Sequence, residues 1–171
     1  MDIQFFATRF AANAEAIERF LRDIDDDCAK WKPAEDEWSI LEVIGHICDE
    51  EMLDFRTRID YTLNRPGEAW PPFDPLALVE AHGYAGKDIH QQLTLFLSER
   101  KKSIEWLNSL ESPNLDLSYQ HPRLGALTAG SLLASWLAHD YLHLPQISNL
   151  YVGYLSQLVA PHSLTYADPA L

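Results

Sequence analysis

Three histidines are the residues of this chain best suited to chemistry. His139 and His143 lie four apart in a helical pattern, so their rings project from one face, one turn apart. Apolar residues at the same spacing predict that this face is buried: Leu132, Trp136, Ile147, Leu150 and Tyr154. Because a buried polar ring must find a partner, these two imidazoles, together with His46 on an earlier helix, predict a metal site.

The histidines also favour particular metals. Neutral imidazoles suit zinc, nickel, iron or copper better than magnesium or calcium, which prefer oxygen ligands. Three protein ligands leave positions open for water or substrate, as is typical of catalytic sites, and a metal there lowers the pKa of bound water or a bound thiol. One alternative stays open, because an inward histidine is often only a hydrogen-bonded core residue.

Two acidic residues lie close to these histidines in the helical pattern. Glu50, one turn past His46, fits a fourth ligand, a general base or an acceptor for an imidazole N–H. Asp140 falls between the paired histidines and fits the role of orienting a ring. Both are candidate catalytic residues. The alternative for each is a structural ion pair within the bundle.

The histidines must be positioned by helices, because four long amphipathic patterns cover the chain with no convincing strand between them. We expect the second helix to begin at Ser39, which forms a capping box with Glu42, and to run to about Asn64. The other three are expected over residues 2–27, over 76–110 with a break near Gly83 and Gly86, and from about Thr128 to Gln157. The pattern predicts an all-α four-helix bundle.

The remaining segments read as connections. The proline- and tryptophan-rich stretch 65–75 predicts a long loop that forms a wall or lid over a site. Residues 114–127 predict a loop or a small hairpin, and the chain from about 158 a frayed tail. Pro145 lies inside the fourth helix and is expected to kink it beside the site. The whole chain, 1–171, is predicted to be one domain.

Composition excludes several classes of protein. The net charge of −13 argues against nucleic acid and against anionic membrane surfaces as partners. Cys28 and Cys48 are too few for a disulfide scaffold or a zinc–thiolate cluster. Cys48 also lies about half a turn from His46, which makes it a poor nucleophile. No apolar run is long enough to span a bilayer, so we expect a cytoplasmic protein acting on a small molecule.

Three segments together resemble a known family. They are Trp38–His46 (WSILEVIGH), His121–Thr128 (HPRLGALT) and Ala138–His143 (AHDYLH) followed by Gln146-Ile147. They resemble the second-helix motif, the turn before helix four and the closing motif of the DinB-like (damage-inducible, YfiT-like) superfamily. The resemblance extends from the first helix to about residue 155. Pro145 is a departure from the motif.

The resemblance implies an antiparallel bundle of up-down-down-up type, often a homodimer. It also implies a divalent metal such as zinc, nickel or iron, held by a histidine triad carried over to His46, His139 and His143. Some members are S-transferases that use a low-molecular-weight thiol, and one is a mycothiol-dependent maleylpyruvate isomerase. Two hypotheses follow. The chain is a metal-dependent thiol S-transferase for a small electrophile, or a non-catalytic, stress-associated protein that binds a metal.

Overall fold

The computed structural model describes residues 2–168 and is mainly helical. In chain order its elements are α1 (Ile3–Leu21), α2 (Asp26–Lys30), α3 (Ile40–Asp49), a π-helical segment (Glu50–Phe55), α4 (Arg56–Asn64), α5 (Pro75–His82), a 3₁₀ turn (Tyr84–Gly86), α6 (Ile89–Ser109), β1 (Ser118–His121), β2 (Gly125–Thr128) and α7 (Ala129–Leu158).

The second long helix is a continuous rod made of α3, the π-helical segment and α4. It begins as predicted, because the Ser39 side chain accepts from the Glu42 backbone N–H and the Glu42 carboxylate accepts from the Ser39 N–H. It ends at Asn64, also as predicted. The sequence pattern did not predict the π-helical segment in the middle of the rod. Segments of this kind are often found at functional sites.

The two core clusters fix the directions of the four long helices. At one end, Ile44 of α3 packs with the start of α6 and with the C-terminal halves of α1 and α7. At the other end, Ile59 of α4 packs with the end of α6 and with the N-terminal halves of α1 and α7. The second rod and α6 therefore run together, and α1 and α7 run against them. This confirms the predicted up-down-down-up four-helix bundle.

The first predicted helix was too long. α1 ends at Leu21 rather than near residue 27, because the acidic run starts a new helix instead of ending the old one. Asp25 is the N-cap of α2 and its carboxylate accepts from the Cys28 backbone N–H at 2.8 Å. Asp26 and Asp27 then lie in the first turn, where the helix dipole favours negative charge.

The third predicted helix breaks where its glycines indicated. α5 ends at His82 and is capped by Gly83, whose φ of 58° is the left-handed conformation that glycine adopts without strain. The 3₁₀ turn follows, and α6 resumes the apolar pattern at Ile89. The expected small hairpin is present as the antiparallel pair β1–β2. α7 spans the fourth predicted helix and is one helix through Pro145.

Residues 159–168 form hydrogen-bonded turns and bends rather than helix, so the predicted end of the fourth helix is confirmed. Residues 169–171 of the predicted tail lie outside the described residues. Among residues 2–168, no helix combines the length and apolar character needed to cross a bilayer.

Candidate metal centre

The three histidines meet between two antiparallel helices. His46 projects from α3 at the point where the π-helical segment begins, and His139 and His143 project from successive turns of α7. The Nε2 atom of His139 lies 3.3 Å from Nε2 of His46 and 3.1 Å from Nε2 of His143. One ring nitrogen from each residue lies within 4.8 Å of the other two. The structure therefore brings together the three residues that the sequence singled out.

The spacing of these nitrogens fits a metal ion. Two imidazole nitrogens on a tetrahedral zinc, each about 2.0–2.1 Å from it, are separated by about 3.3 Å. Nδ1 of His143 donates to Oε1 of Gln146 at 2.7 Å, which leaves the lone pair of its Nε2 directed at the cluster. A single proton cannot satisfy three facing nitrogens, whereas one cation accepts all three lone pairs. Nδ1 of His46 is buried without a hydrogen-bond partner among the described residues, so no contact fixes its tautomer.

Burial keeps the cluster in the neutral form that a metal requires. Burial, and then the neighbouring His143, lower the pKa of His46 to about 4. Burial and the two other rings lower the pKa of His139 to about 3. The pKa of His143 is also lowered by burial, against the opposing effects of Gln146 and Asp140. All three rings are therefore neutral near pH 7, which is the form in which an imidazole can bind a metal without first losing a proton.

Aromatic rings hold the histidine rings in place. The Trp38 ring lies 5.0 Å from the His46 ring, and the Phe55 ring lies 5.4 Å from that of His139. Phe55 in turn stacks on Trp136, which is fully buried in the core. Trp136 is thus a core residue, as its position on the apolar face of the fourth helix predicted. The aromatic surroundings limit the orientations that two of the three rings can adopt.

Glu50 is the acidic residue closest to the cluster. Its Oε1 lies 3.8 Å from Nε2 of His46, and the side chain is almost fully buried. Burial, and then the charge and hydrogen bond of Asp54, raise the pKa of Glu50 to about 8. Asp54 is itself paired with Arg58 at 2.6 Å. Among the described residues, Glu50 forms no ion pair with a basic side chain across the bundle, and its raised pKa lies near neutral pH.

Asp140 forms a structural ion pair within the bundle, which was the alternative that the sequence left open for it. Its two oxygens each accept a hydrogen bond from Arg100 at 2.7 Å, and Oδ2 also accepts one from Asn13 at 2.9 Å. Arg100 is paired on its other side with Glu51, which accepts from Ser103 at 2.7 Å. This buried network engages both oxygens of the carboxylate and holds α7 against α1 and α6, and a catalytic role for Asp140 stays a prediction.

The π-helical segment places two consecutive acids in different roles. Glu50 lies beside His46, whereas Glu51 lies in the buried pair with Arg100. The wider i to i+5 turn changes the direction of the side chains that follow it, so Phe55 reaches the His139 ring from the same helix. The segment therefore supplies one polar and one aromatic neighbour of the cluster, Glu50 and Phe55.

A second polar cluster was not predicted from the sequence. The Tyr84 hydroxyl donates to Oδ2 of Asp49 at 2.7 Å, and Nδ1 of His82 lies 3.1 Å from the same oxygen. The Tyr84 ring packs directly on Gly45, where a Cβ atom would lie 2.4 Å from the ring. His82 itself is exposed, whereas Asp49 and Tyr84 are buried. The one signal in the sequence was the glycine before His46, which marks a close approach of another residue.

The long loop and the cysteines are outside the cluster. Trp70 of the loop stacks on Tyr119 of β1 at 4.0 Å, so the loop is anchored to the hairpin. It lines a cavity of about 520 Å³ with Leu53, and among the described residues around that cavity none is a histidine of the cluster. The lid interpretation of this loop therefore stays a prediction. Burial, and then nearby carboxylates, raise the pKa of Cys48 to about 12, which agrees with its being a poor nucleophile.

Comparison with known proteins agrees with this fold and cluster. The family model described as the DinB superfamily matches residues 9–147. The chain belongs to the DinB superfamily. The matched range includes all three histidines, so the cluster lies within the part of the chain that the superfamily defines.

Two relatives with partial similarity carry names related to metals. A protein of Oceanobacillus iheyensis named "Putative metal-dependent hydrolase" is 23% identical over 113 residues, which are 66% of this chain and 64% of the relative. This DinB superfamily chain thus spans about 64% of that relative's length. The solved structure of Bacillus subtilis YfiT, described as "a probable metal-dependent hydrolase with an unusual four-helix bundle topology", has a TM-score of 0.75 and 17% identity, covering 86% of this chain and 85% of YfiT. At that identity, the likeness shows the fold.

Proposed function

We propose that this DinB superfamily protein binds one divalent transition metal through Nε2 of His46, His139 and His143. The convergence of these nitrogens at 3.1 and 3.3 Å, in a neutral cluster of one buried and two half-buried histidines, carries the proposal. Zinc, nickel and iron all suit such a ligand set. Three protein ligands leave positions open, which is the arrangement of catalytic rather than structural sites.

Metal content and metal-linked stability test this proposal. The purified protein is stripped with chelator, and its thermal unfolding is measured with and without added zinc, nickel or iron. A metal at about 100 times its Kd stabilises the native state by about 2.7 kcal/mol, which corresponds to roughly 5–10 °C in Tm for a chain of this size. His139→Ala should lose this response and the bound metal. His90→Ala, an exposed histidine on α6, is the matched control and should keep both.

We propose further that the centre activates a small nucleophile, with Glu50 as the group that takes up its proton. A divalent ion, when bound, lowers the pKa of a coordinated water or thiol. Glu50 lies beside His46, is buried, and has a pKa raised to about 8 by that burial and by Asp54. A nearby cation favours its carboxylate form, which is the form that accepts a proton. Glu50→Gln should retain the metal and lose turnover.

The finer proposal is thiol S-transfer, in which a low-molecular-weight thiol is joined to a small electrophile. The resemblance of the three sequence motifs supports this choice. The thiol must come from a co-substrate, because Cys48 is buried and its pKa is raised to about 12. Hydrolysis is the second candidate, and the names of the two relatives favour it. Both reactions use the same proton acceptor and differ in the nucleophile.

A substrate panel separates these candidates. Metal-loaded protein is incubated with a set of thiols and electrophiles, and separately with ester and amide substrates, and products are measured by mass spectrometry. Thiol conjugation above the level of His139→Ala supports S-transfer, whereas cleavage above that level supports hydrolysis. If the metal binds and neither activity exceeds the variant, the non-catalytic alternative is favoured, in which the site stores or senses the metal.

Homodimerisation, which the resemblance implies, stays a prediction. α7 exposes large apolar side chains that a second copy could cover, namely Leu142, Tyr151 and Leu158. Light scattering coupled to size-exclusion chromatography measures the mass in solution. A mass near twice 19.5 kDa is expected, and a mass equal to that of one chain would contradict the prediction.

A further inference from the structure

A cavity of about 790 Å³ lies beside the histidine cluster, and no step of the proposed function uses it. It is bounded by the connector that follows α2 and by the C-terminal half of α7, from Leu142 to Gly153. Trp31 and Trp38 supply aromatic walls, and Gln146 and Asn149 supply amides from α7. A cavity of this volume, with apolar walls and a few polar groups, is typical of a small-molecule site.

Two contacts connect the cavity to the histidines. The Trp38 ring, which lines the cavity, packs at 5.0 Å from the His46 ring. Gln146, which also lines it, accepts the 2.7 Å hydrogen bond from Nδ1 of His143. A molecule in the cavity therefore touches side chains that contact two of the three proposed metal ligands.

The Trp31 ring, which forms one wall of the cavity, is fixed by its packing against α7. A Cβ atom on Gly153 would lie 2.6 Å from the Trp31 ring, so the ring occupies space that only glycine leaves free. The indole N–H of Trp31 donates to Oε1 of Gln157 at 3.2 Å, and the ring lies 6.3 Å from that of Tyr154. Trp31 is thus held in place by three residues of α7.

The charges at the cavity are of one sign. Asp36 and Glu37 line it, and among the described residues around it none is lysine, arginine or histidine. The nearby Lys32 is engaged with Glu42 at 2.8 Å. Carboxylates next to tryptophan rings attract a cation both by charge and by the negative faces of the rings. A carboxylate or phosphate ligand finds no positive partner here.

We propose that this cavity is a substrate subsite of the histidine centre and binds the amine-bearing, apolar part of a small molecule. The assignment of the cavity as a substrate subsite rests on the proposed metal-dependent function. The preference for an amine rests on the cavity alone. It also limits the thiol hypothesis, because a thiol that carries carboxylates would not occupy this cavity.

The test compares matched probes on the purified full-length protein. Binding of 2-phenylethylamine and of 3-phenylpropionate is measured by ligand-observed NMR titration, first after treatment with chelator, so that neither probe can coordinate a metal, and then with zinc. We expect the amine to bind about tenfold more tightly than the carboxylate, since each exposed charge pair contributes a factor of a few. Added salt should reduce the difference.

Variants locate the binding. The double variant Asp36→Asn/Glu37→Gln should bring the two probes to within about twofold, whereas Glu35→Gln, an exposed acid of the same connector that does not line the cavity, should keep most of the preference. Asn149→Trp should fill the cavity and weaken amine binding by about tenfold or more. Ser135→Trp, another exposed position of α7, is its control.

The outcomes separate this proposal from the metal-dependent function. Equal binding of the two probes, or amine binding that survives Asn149→Trp, overturns the cavity proposal, and it does so even if zinc still binds. If zinc fails to bind the wild-type protein while the probes behave as expected, the metal-dependent function fails and the cavity is no substrate subsite of such a centre. Circular dichroism of each variant checks that a lost signal is not lost folding.

Discussion

Acidifying the metal-free protein should reveal the burial of the histidine cluster. Burial and the neighbouring rings hold the pKa of His139 at about 3, whereas an imidazole in the unfolded chain titrates near 6.5. Between these two values the unfolded chain binds a proton that the native ring does not. The free energy of unfolding therefore falls as the pH falls from 6.5 towards 3. His46, with a pKa of about 4, acts in the same direction.

The size of this effect follows from the two pKa values. For His139, moving from pH 8 to pH 5 removes about 2 kcal/mol of stability, because the unfolded imidazole is almost fully protonated at pH 5 and the native one is not. Glu50 acts in the opposite direction. Its pKa is raised from 4.5 to about 8, so its native proton stabilises the fold at low pH and stability is lost as the pH rises from 4.5 through 8. Between pH 5 and 8 that loss is about 3 kcal/mol.

Because the two effects oppose each other, the pH dependence of wild-type stability does not separate them. Variants that remove one group at a time do. Urea unfolding is followed by circular dichroism at pH 8 and pH 5 with chelator present. On moving to pH 5, His139→Gln should lose about 2 kcal/mol less than wild type, and Glu50→Gln should lose about 3 kcal/mol more. His90→Gln, on an exposed position of α6, is the control and is expected to follow the wild-type protein.

One result would refute the reasoning. If His139→Gln shows the same pH dependence as wild type, the native ring accepts protons as freely as the unfolded one. The cluster would then not be a set of neutral, partly buried imidazoles, and the argument from burial to metal binding would fail. If Glu50→Gln alone shows its expected pH dependence, the raised pKa of Glu50 is supported, while His139 is accessible to protons.

Three further substitutions test the surroundings of the site. Asp140→Ala leaves the buried guanidinium of Arg100 without its bidentate partner, so we expect a loss of about 3–5 kcal/mol and a Tm lower by roughly 10 °C in thermal unfolding. Gly45→Ala places a Cβ atom 2.4 Å from the Tyr84 ring, so a loss of about 1–3 kcal/mol is expected in urea unfolding. Gln146→Leu removes the acceptor for the ring N–H of one proposed ligand, so zinc affinity in a competition titration should fall about 10–100-fold.

Each of these has a control at an exposed position. Asp116→Ala, Gly86→Ala and Gln91→Leu change the same residue types without a buried partner, and a Cβ atom on Gly86 meets nothing within 4 Å. Unchanged stability in Asp140→Ala would mean that the buried network does not hold α7. A neutral Gly45→Ala would show that the Tyr84 ring moves freely, and unchanged zinc affinity in Gln146→Leu would remove that residue from the site.

Much of the fold could be predicted because it depends on local pattern. The capping box at Ser39, the glycine break at Gly83 and the apolar spacing of four helices are properties of neighbouring residues, and the structure has all of them. The first helix was predicted too long because an acidic run fits both the end of one helix and the start of another. Which of the two occurs depends on whether Asp25 caps the turn that follows it.

The candidate site divides along the same line. By itself, the sequence determined that His139 and His143 share a helix face, since spacing within a helix fixes the direction of side chains. The resemblance to the family added that His46 belongs with them. Tertiary structure alone decided the ion pairs of the acids, because an ion pair depends on distant residues. Arg100 binds Asp140 in a buried network, whereas no basic side chain of residues 2–168 pairs with Glu50 across the bundle. Tertiary structure also decided that the cavity next to Trp38 adjoins the histidines, since the two walls come from segments more than a hundred residues apart.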